Sequence, residues 1–332
     1  MSVVPPTPVQ TYKNRRAGLV VFGILQIALG LLAALMSLFM VVGTLAGNAA
    51  GPGAPPPRVM APTALLYLAV AVMFVVLGIG SIRARRWARA IILALSWMWL
   101  IVGGMSSIGV VAMSPHLFDA LPQEQASMKP VVIGCMSVFL GLFFVVLPLV
   151  FVLFYRGSNV RATVEAVDAV PRWTDNVPLP LLIFSFWMLS GALSMMFAGV
   201  IYTAFPVGPW MLRGVSSLAL MLAIAGVTVF IGLGSLKRMR AAWWTALVLL
   251  VGGVVYGAAF MRKIDVASWY KAMSMPMDPR QLEMVHSMVS GPFFFLSMAV
   301  MWALYLGLLL YLRRYFFGGP MTTDNRQLTT DN

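Results

Sequence analysis

Soft metal-ligating side chains are concentrated in one polar stretch near the end of the chain. The segment MSMPM places Met273, Met275 and Met277 at alternate positions, and His286 follows. Thioether sulfur suits Cu(I), and imidazole suits copper, so the spacing indicates a copper site as one hypothesis. The chain contains 25 methionines, however, and methionine commonly fills irregular apolar gaps. Packing is therefore the favoured interpretation of these side chains.

Other reactive groups form no recognisable pattern. The motifs GxxxxGK[ST], HExxH, GxSxG and CxxC do not occur in the sequence, which removes the usual signs of nucleotide, metalloprotease, hydrolase and dithiol chemistry. No ionisable residue lies in the middle of a long apolar run. Proton-coupled pumps need such intramembrane groups, so that class is disfavoured. We expect no catalytic residues and no cofactor, and an enzyme is the weaker hypothesis.

The chain is too apolar to be covered by water. Of its 332 residues, 61% are hydrophobic and 10% are charged, whereas soluble domains carry roughly 25% charged residues. Continuous apolar runs of this length cross a bilayer as helices. Eight such runs are present: 18–43, 62–80, 90–113, 130–155, 179–204, 214–235, 242–261 and 291–312. The sequence therefore predicts an all-α polytopic membrane protein with eight transmembrane helices, the fourth kinked at Pro148.

Two similar basic turns indicate an internal duplication. GIGSIRARRWARA at 78–90 and GLGSLKRMRAAWW at 232–244 each place Gly-x-Gly-Ser before a cluster of arginine or lysine. Small residues also recur along the first helix and, 162 positions later, along the fifth, where they would let a neighbouring helix pack closely. These helix-packing residues are Gly23, Gly30, Ser37, Ser185, Ala192 and Gly199. We predict two parallel four-helix repeats.

The distribution of lysine and arginine predicts the orientation. Sixteen of the 23 lie on the side that carries both termini, so the positive-inside rule makes that side cytoplasmic. The predicted segments are a disordered cytoplasmic N-terminus (1–16), a first transmembrane half (17–155), a cytoplasmic connector (156–178), a second half (179–314) and a disordered cytoplasmic tail (315–332). The basic side would face anionic lipid headgroups. Nucleic acid is a poor partner, because the cations are scattered over short turns.

Arginine and tryptophan occur together where helices end on the basic side. Tryptophan is typical of the headgroup level, and arginine binds lipid phosphates there. Five residues are predicted as interface anchors: Arg86, Trp87, Arg172, Trp173 and Trp243. Within the connector, Val160, Val164 and Val167 fall on one face of a short predicted helix. Arg161 and Glu165 form an i,i+4 ion pair on another face.

The connector sequence VRATVEAVDAVPRWTDNVPLPLL (Val160 to Leu182) resembles a segment of uncharacterised bacterial multi-pass inner-membrane proteins. Their pattern is similar to V-[KR]-A-T-C-E-x-x-D-x-x-x-R-W-T-D-x-C-P-L-P. The two cysteines of that pattern fall on Val164 and Val177 here, so no thiol role applies. The resemblance implies a multi-pass protein of the bacterial inner (cytoplasmic) membrane, and it implies no activity.

Two classes of function fit these observations. The favoured one is a non-enzymatic scaffold, sensor or assembly factor, with a membrane-protein partner or a second copy of the chain. The alternative is a transporter or permease for an apolar or lipid-like molecule, which would use the seam between the parallel halves. A weaker alternative is copper handling on the periplasmic side, through the methionine-rich segment.

Overall fold

The computed structural model describes residues 12–46, 57–117, 128–202, 204–207, 210–260, 268–269, 283, 285–286 and 291–318. Almost all of these residues are helical. Within the described ranges, eight helical segments are long and apolar enough to cross a membrane. The prediction of an all-α protein with eight membrane-spanning helices is therefore confirmed, and the protein is an integral, multi-pass membrane protein.

The chain divides into two compact units, Met1–Leu179 and Pro180–Asn332. The helices of the first unit are α1 (Arg16–Ala46), α2 (Pro57–Ile82), α3 (Arg86–Leu117), α4 (Lys129–Gly141), α5 (Leu147–Arg156) and α6 (Ser158–Val167). A π turn (Leu142–Val146) joins α4 to α5 in one span, and a 3₁₀ turn (Trp173–Asn176) follows α6. The connector thus contains a helix and a turn, and it belongs to the first unit.

The second unit contains four spans and one small hairpin. Its helices are α7 (Leu179–Ile201), α8 (Val215–Leu236), α9 (Arg240–Phe260) and α10 (Pro292–Phe317). Between α7 and α8, β1 (Ala204–Val207) pairs antiparallel with β2 (Trp210–Arg213). The fifth apolar run was predicted as a helix to residue 204. That prediction is corrected here, because α7 ends at Ile201 and Ala204 begins the first strand of the hairpin. The Gly-Pro dipeptide at 208–209 is a turn signal that could have revealed it.

In the first unit, α1 and α2 approach to backbone contact. A Cβ atom built on Gly78 would lie 2.6 Å from the carbonyl oxygen of Gly23. A Cβ atom on Gly30 would lie 2.9 Å from the Ala71 carbonyl oxygen. Further along, the Ser37 hydroxyl donates a hydrogen bond of 2.8 Å to a carbonyl of α2. The absence of side chains lets the backbones meet, so the small residues of the first helix lie along its contact with α2.

The small residues of the fifth span lie at a similar contact between α7 and α8. Ser185 and Ala192 are each 1% exposed. A Cβ atom on Gly199 would lie 3.0 Å from the Met221 Cβ, and one on Gly232 would lie 3.2 Å from the Ser185 carbonyl oxygen. These distances are longer than those between α1 and α2, so an added side chain would destabilise this contact less.

The two basic turns share one backbone geometry, at an offset of 154 residues. Ala84 and Arg238 both adopt left-handed conformations, with φ of 48° and 55°. In each turn the next backbone N–H bonds at 2.9 Å to the carbonyl of the second glycine, Gly80 or Gly234, which closes the helix end. A Cβ on that glycine would lie within 2.7 Å of an alanine in the following helix. The second glycine therefore permits the close helix–helix approach.

The fourth span contains a π turn where a proline kink was predicted. Pro148 has no N–H and cannot donate to a carbonyl of the preceding turn. Immediately before it, the Leu147 N–H bonds to the carbonyl of Leu142, five residues earlier. The wider turn, Leu142–Val146, relieves crowding against the proline ring.

Candidate functional site: the connector bound to the first basic turn

The connector folds back onto the first unit. In α6, Val160 and Val164 are 3% and 1% exposed. Val167 is the last residue of α6 and is 47% exposed, so two of the three valines that were predicted to share one face are buried and the third is not. The predicted pair is confirmed, because Arg161 Nε lies 2.8 Å from Glu165 Oε1. Hydrophobic packing thus covers only the first two turns of α6.

The segment before α1 is also bound to α6. The backbone N–H of Lys13 donates to the Asn159 side chain at 3.1 Å. The backbone N–H of Arg15 donates to the Thr163 hydroxyl at 3.0 Å. Side chains of α6 therefore take up donors that precede the first turn of α1, where no intrahelical acceptor exists.

Asp168 lies at the centre of an ionic network and is 4% exposed. Its Oδ2 accepts the backbone N–H of Arg86 at 3.2 Å, and its Oδ1 accepts from Arg172 Nη2 at 3.3 Å. Arg85 Nη1 lies 3.7 Å from Oδ1. Because α3 has no acidic residue in its own first turn, Asp168 supplies the negative charge that stabilises the positive end of the helix dipole.

Arg86 binds the connector through its whole guanidinium group. Its Nε donates to the carbonyl of Asp168, and its Nη2 donates to the carbonyl of Glu165 at 3.3 Å. Its Nη1 lies 3.6 Å from Asp175 Oδ2. The side chain is 16% exposed, so the structure places Arg86 within the protein, whereas the sequence suggested a contact with lipid phosphates. The planar fork of arginine suits this multiple recognition.

The pKa values of the connector carboxyls are lowered. Burial alone would raise the pKa of Asp168, but hydrogen bonds from Arg172 and the Arg86 backbone, with the charges of Arg172 and Arg85, bring it below its ordinary value. The hydrogen bond from Arg161 lowers the pKa of Glu165. Both carboxyls are therefore ionised at neutral pH and can bind the arginines.

These pKa shifts predict loss of the connector contacts in acid. A carboxyl whose folded pKa is depressed stabilises the fold above its unfolded pKa of about 3.9. That stabilisation disappears as the pH falls through the folded pKa. We expect the thermal unfolding temperature in detergent to fall below about pH 4. Asp168→Asn should remove a clear part of this pH dependence. An identical pH profile for parent and variant would contradict the assignment.

No protein-family model, curated protein or solved structure matches the chain. The resemblance of the connector to bacterial inner-membrane proteins therefore stays a prediction.

The predicted tryptophan anchors lie in different environments. Trp173 is 52% exposed in the 3₁₀ turn, and Trp87 is partly buried. Trp243 is only 4% exposed and donates from Nε1 to the Leu309 carbonyl at 2.9 Å. Its neighbour Trp244 is 53% exposed. Successive helical residues point about 100° apart, so Trp243 is a core residue and Trp244 occupies the exposed position.

Most of the candidate copper site lies outside the described residues. Met273, Met275 and Met277 are not described, whereas His286 is described and exposed. Within the described ranges, no three His, Cys, Asp or Glu side chains form a group that could hold a metal ion. The copper hypothesis stays a prediction from the sequence.

Proposed function

We propose that the protein is a non-enzymatic membrane scaffold or assembly factor, and that its working surface is the connector. One observation supports this proposal: the connector is held firmly on the first unit while it exposes apolar side chains. Val170 is 62% exposed and Trp173 is 52% exposed. A segment that only joined two helices would need neither this fixed conformation nor an exposed tryptophan.

The exposed residues are held by buried neighbours. Thr174, next to Trp173, is 3% exposed. Asp175 Oδ2 accepts the backbone N–H of Arg172 at 2.8 Å, and this bond closes the 3₁₀ turn that carries Trp173. A tryptophan in a preorganised turn loses little conformational freedom on binding, and tryptophan is common among the residues that dominate interface energies.

The charges around the exposed side chains of Val170 and Trp173 suggest the chemistry of the partner. The side chains of Arg85, Arg161 and Arg172 are 43%, 57% and 40% exposed. Apolar groups flanked by cations favour a partner segment that combines apolar and acidic residues, because complementary charges select the partner and fix its orientation. The resemblance to bacterial inner-membrane proteins and the cytoplasmic placement of the connector are further parts of this proposal. So is the arrangement as two parallel repeats.

Replacing Trp173 by alanine tests the proposal. We expect a protein to co-purify with the parent from native membranes at fixed stoichiometry. Its recovery should fall at least about tenfold with Trp173→Ala, because dominant interface residues cost about 2 kcal/mol or more on truncation. Quantitative mass spectrometry of the purified complex measures this ratio.

A matched control is Trp210→Ala, which removes a tryptophan that is 73% exposed in the hairpin of the second unit. This variant should retain the co-purifying protein at the same stoichiometry as the parent. Absence of any stoichiometric partner, or equal loss in both variants, would contradict a scaffold that acts through the connector.

A further inference from the structure

Equivalent arginines of the two basic turns have different surroundings. Arg86 and Arg240 lie at the same position of the shared turn, 154 residues apart. The connector carboxylates neutralise the first. Arg240 is exposed and makes no salt bridge within the described residues; its guanidinium carbon lies 5.7 Å from the centre of the Phe317 ring. The second turn therefore presents a positive charge where the first is paired.

A second arginine shares the same aromatic ring. Arg313 is also exposed, and its guanidinium carbon lies 5.8 Å from the Phe317 ring centre. Cation–π contacts of this kind orient a guanidinium group without neutralising it. Arg313 likewise makes no salt bridge in the part of the chain that the structure describes. Two oriented guanidinium groups therefore keep N–H donors available for an anion.

These arginines lie where three spans end. The span of α8 ends at Leu236, that of α9 begins at Arg240 and that of α10 ends at Phe317. Trp243 joins α9 to α10, because its ring lies 5.3 Å from Phe317 and its Nε1 bonds to the carbonyl of Leu309. The ends of apolar spans lie at the level of the lipid headgroups, which is where phosphate is available.

We propose that Arg240 and Arg313 bind the phosphate of an anionic phospholipid headgroup. The phosphate neutralises these two arginines at the second turn, as the connector carboxylates neutralise Arg86 at the first. Guanidinium groups bind phosphate through charge-assisted, paired hydrogen bonds. The exposed side chain of Lys237, in the same turn, adds a further positive charge and so favours a lipid with net negative charge.

The test uses the full chain in nanodiscs of phosphatidylcholine with or without phosphatidylglycerol. Native mass spectrometry after release from the nanodisc measures the lipids that each protein retains. We expect the parent to prefer phosphatidylglycerol. Arg240→Gln and Arg313→Gln should each lower its affinity about fivefold, as expected for one cation near an anionic surface. Both variants should unfold within a few degrees of the parent in lipid-free detergent, because each loses only an exposed cation–π contact worth about 0.5–1 kcal/mol.

Arg161→Gln is the matched control, since it removes the same charge from a side chain that is paired with Glu165. Its phosphatidylglycerol affinity should stay within about twofold of the parent, as for other surface ion pairs. Equal loss in all three variants would show a non-specific effect of net charge and overturn the proposal. The proposal would also be overturned if the parent retained phosphatidylcholine and phosphatidylglycerol equally.

Two further experiments distinguish the lipid from two other possible occupants of the site, which are free phosphate and the chain's own tail. Inorganic phosphate should not displace the retained phosphatidylglycerol; full displacement would identify a site for free phosphate and overturn the lipid assignment. The acidic residues Asp324 and Asp331 of the chain's own tail are replaced by asparagine in the full-length protein. Unchanged affinity supports the proposal, whereas a clear rise in affinity would show that the tail occupies the site.

Discussion

Asp168→Asn should release the connector and lower the free energy of unfolding by about 3 kcal/mol, the cost expected when one partner of a buried ionic contact is removed. The variant keeps the size of the side chain but loses its charge. Arg85 and Arg172 then lose the carboxylate that they share, and α3 loses the negative charge at its first turn. Thermal or denaturant unfolding in detergent measures the loss. Trypsin should cleave the released connector at Arg172 faster than in the parent.

Glu165→Gln is the matched control for this prediction. The Glu165 side chain is 39% exposed, and within the described residues its salt bridge is with Arg161 on the surface, so its removal should cost about 0.5 kcal/mol or less. The contact that matters for Arg86 uses the backbone carbonyl of Glu165, which the substitution retains. Equal destabilisation by both substitutions would mean that Asp168 does not hold the connector.

Gly78→Ala should separate α1 from α2, with a loss of about 3 kcal/mol, at the upper end of the range for overpacking. The added Cβ would meet the Gly23 carbonyl oxygen at 2.6 Å. This oxygen belongs to the backbone of a helix and cannot rotate away as a flexible side chain does. The two helices must therefore move apart along their whole contact.

The chain provides a graded series for this test. Gly232→Ala occupies the equivalent position of the second unit, where the nearest atoms lie at 3.0–3.2 Å, and should cost about 1 kcal/mol. No atom lies within 4 Å of a Cβ on Gly134, so Gly134→Ala should be neutral or stabilise α4 by up to about 1 kcal/mol through helix propensity. Unfolding curves in one detergent compare the three. If Gly78→Ala lowers the free energy of unfolding no more than Gly232→Ala does, the contact between α1 and α2 is not the tighter of the two.

The spans could be predicted from the sequence because a bilayer imposes a simple requirement of length and apolarity. The pair of Arg161 and Glu165 was predictable for a similar reason, since four-residue spacing on a helix fixes the neighbours. Both predictions depend on local sequence alone. Trp243 and Trp244 show the limit: both occur at the same helix end, and only the position of α10 decides which of the two is buried.

The partners of Arg86 could not be predicted, because Asp168 follows it by 82 residues. A composition signal was nevertheless present. Glu165, Asp168 and Asp175 are three of only ten acidic residues in the chain, and they lie close together in the connector. Acidic residues on the side with most of the arginines indicate pairing, but the sequence does not show which arginine is paired or that the carboxylate is buried.

The sequence distance between Arg86 and Asp168 also sets an order of events during synthesis. A ribosome adds roughly 5–20 residues per second, so the 82 intervening positions correspond to about 4–16 s. During this interval the first basic turn has no connector to neutralise it. Unpaired cations next to a new span resist translocation across the membrane. With the predicted cytoplasmic orientation, we expect the same arginines to act first as a topology signal for the nascent chain and later as the binding site for its connector.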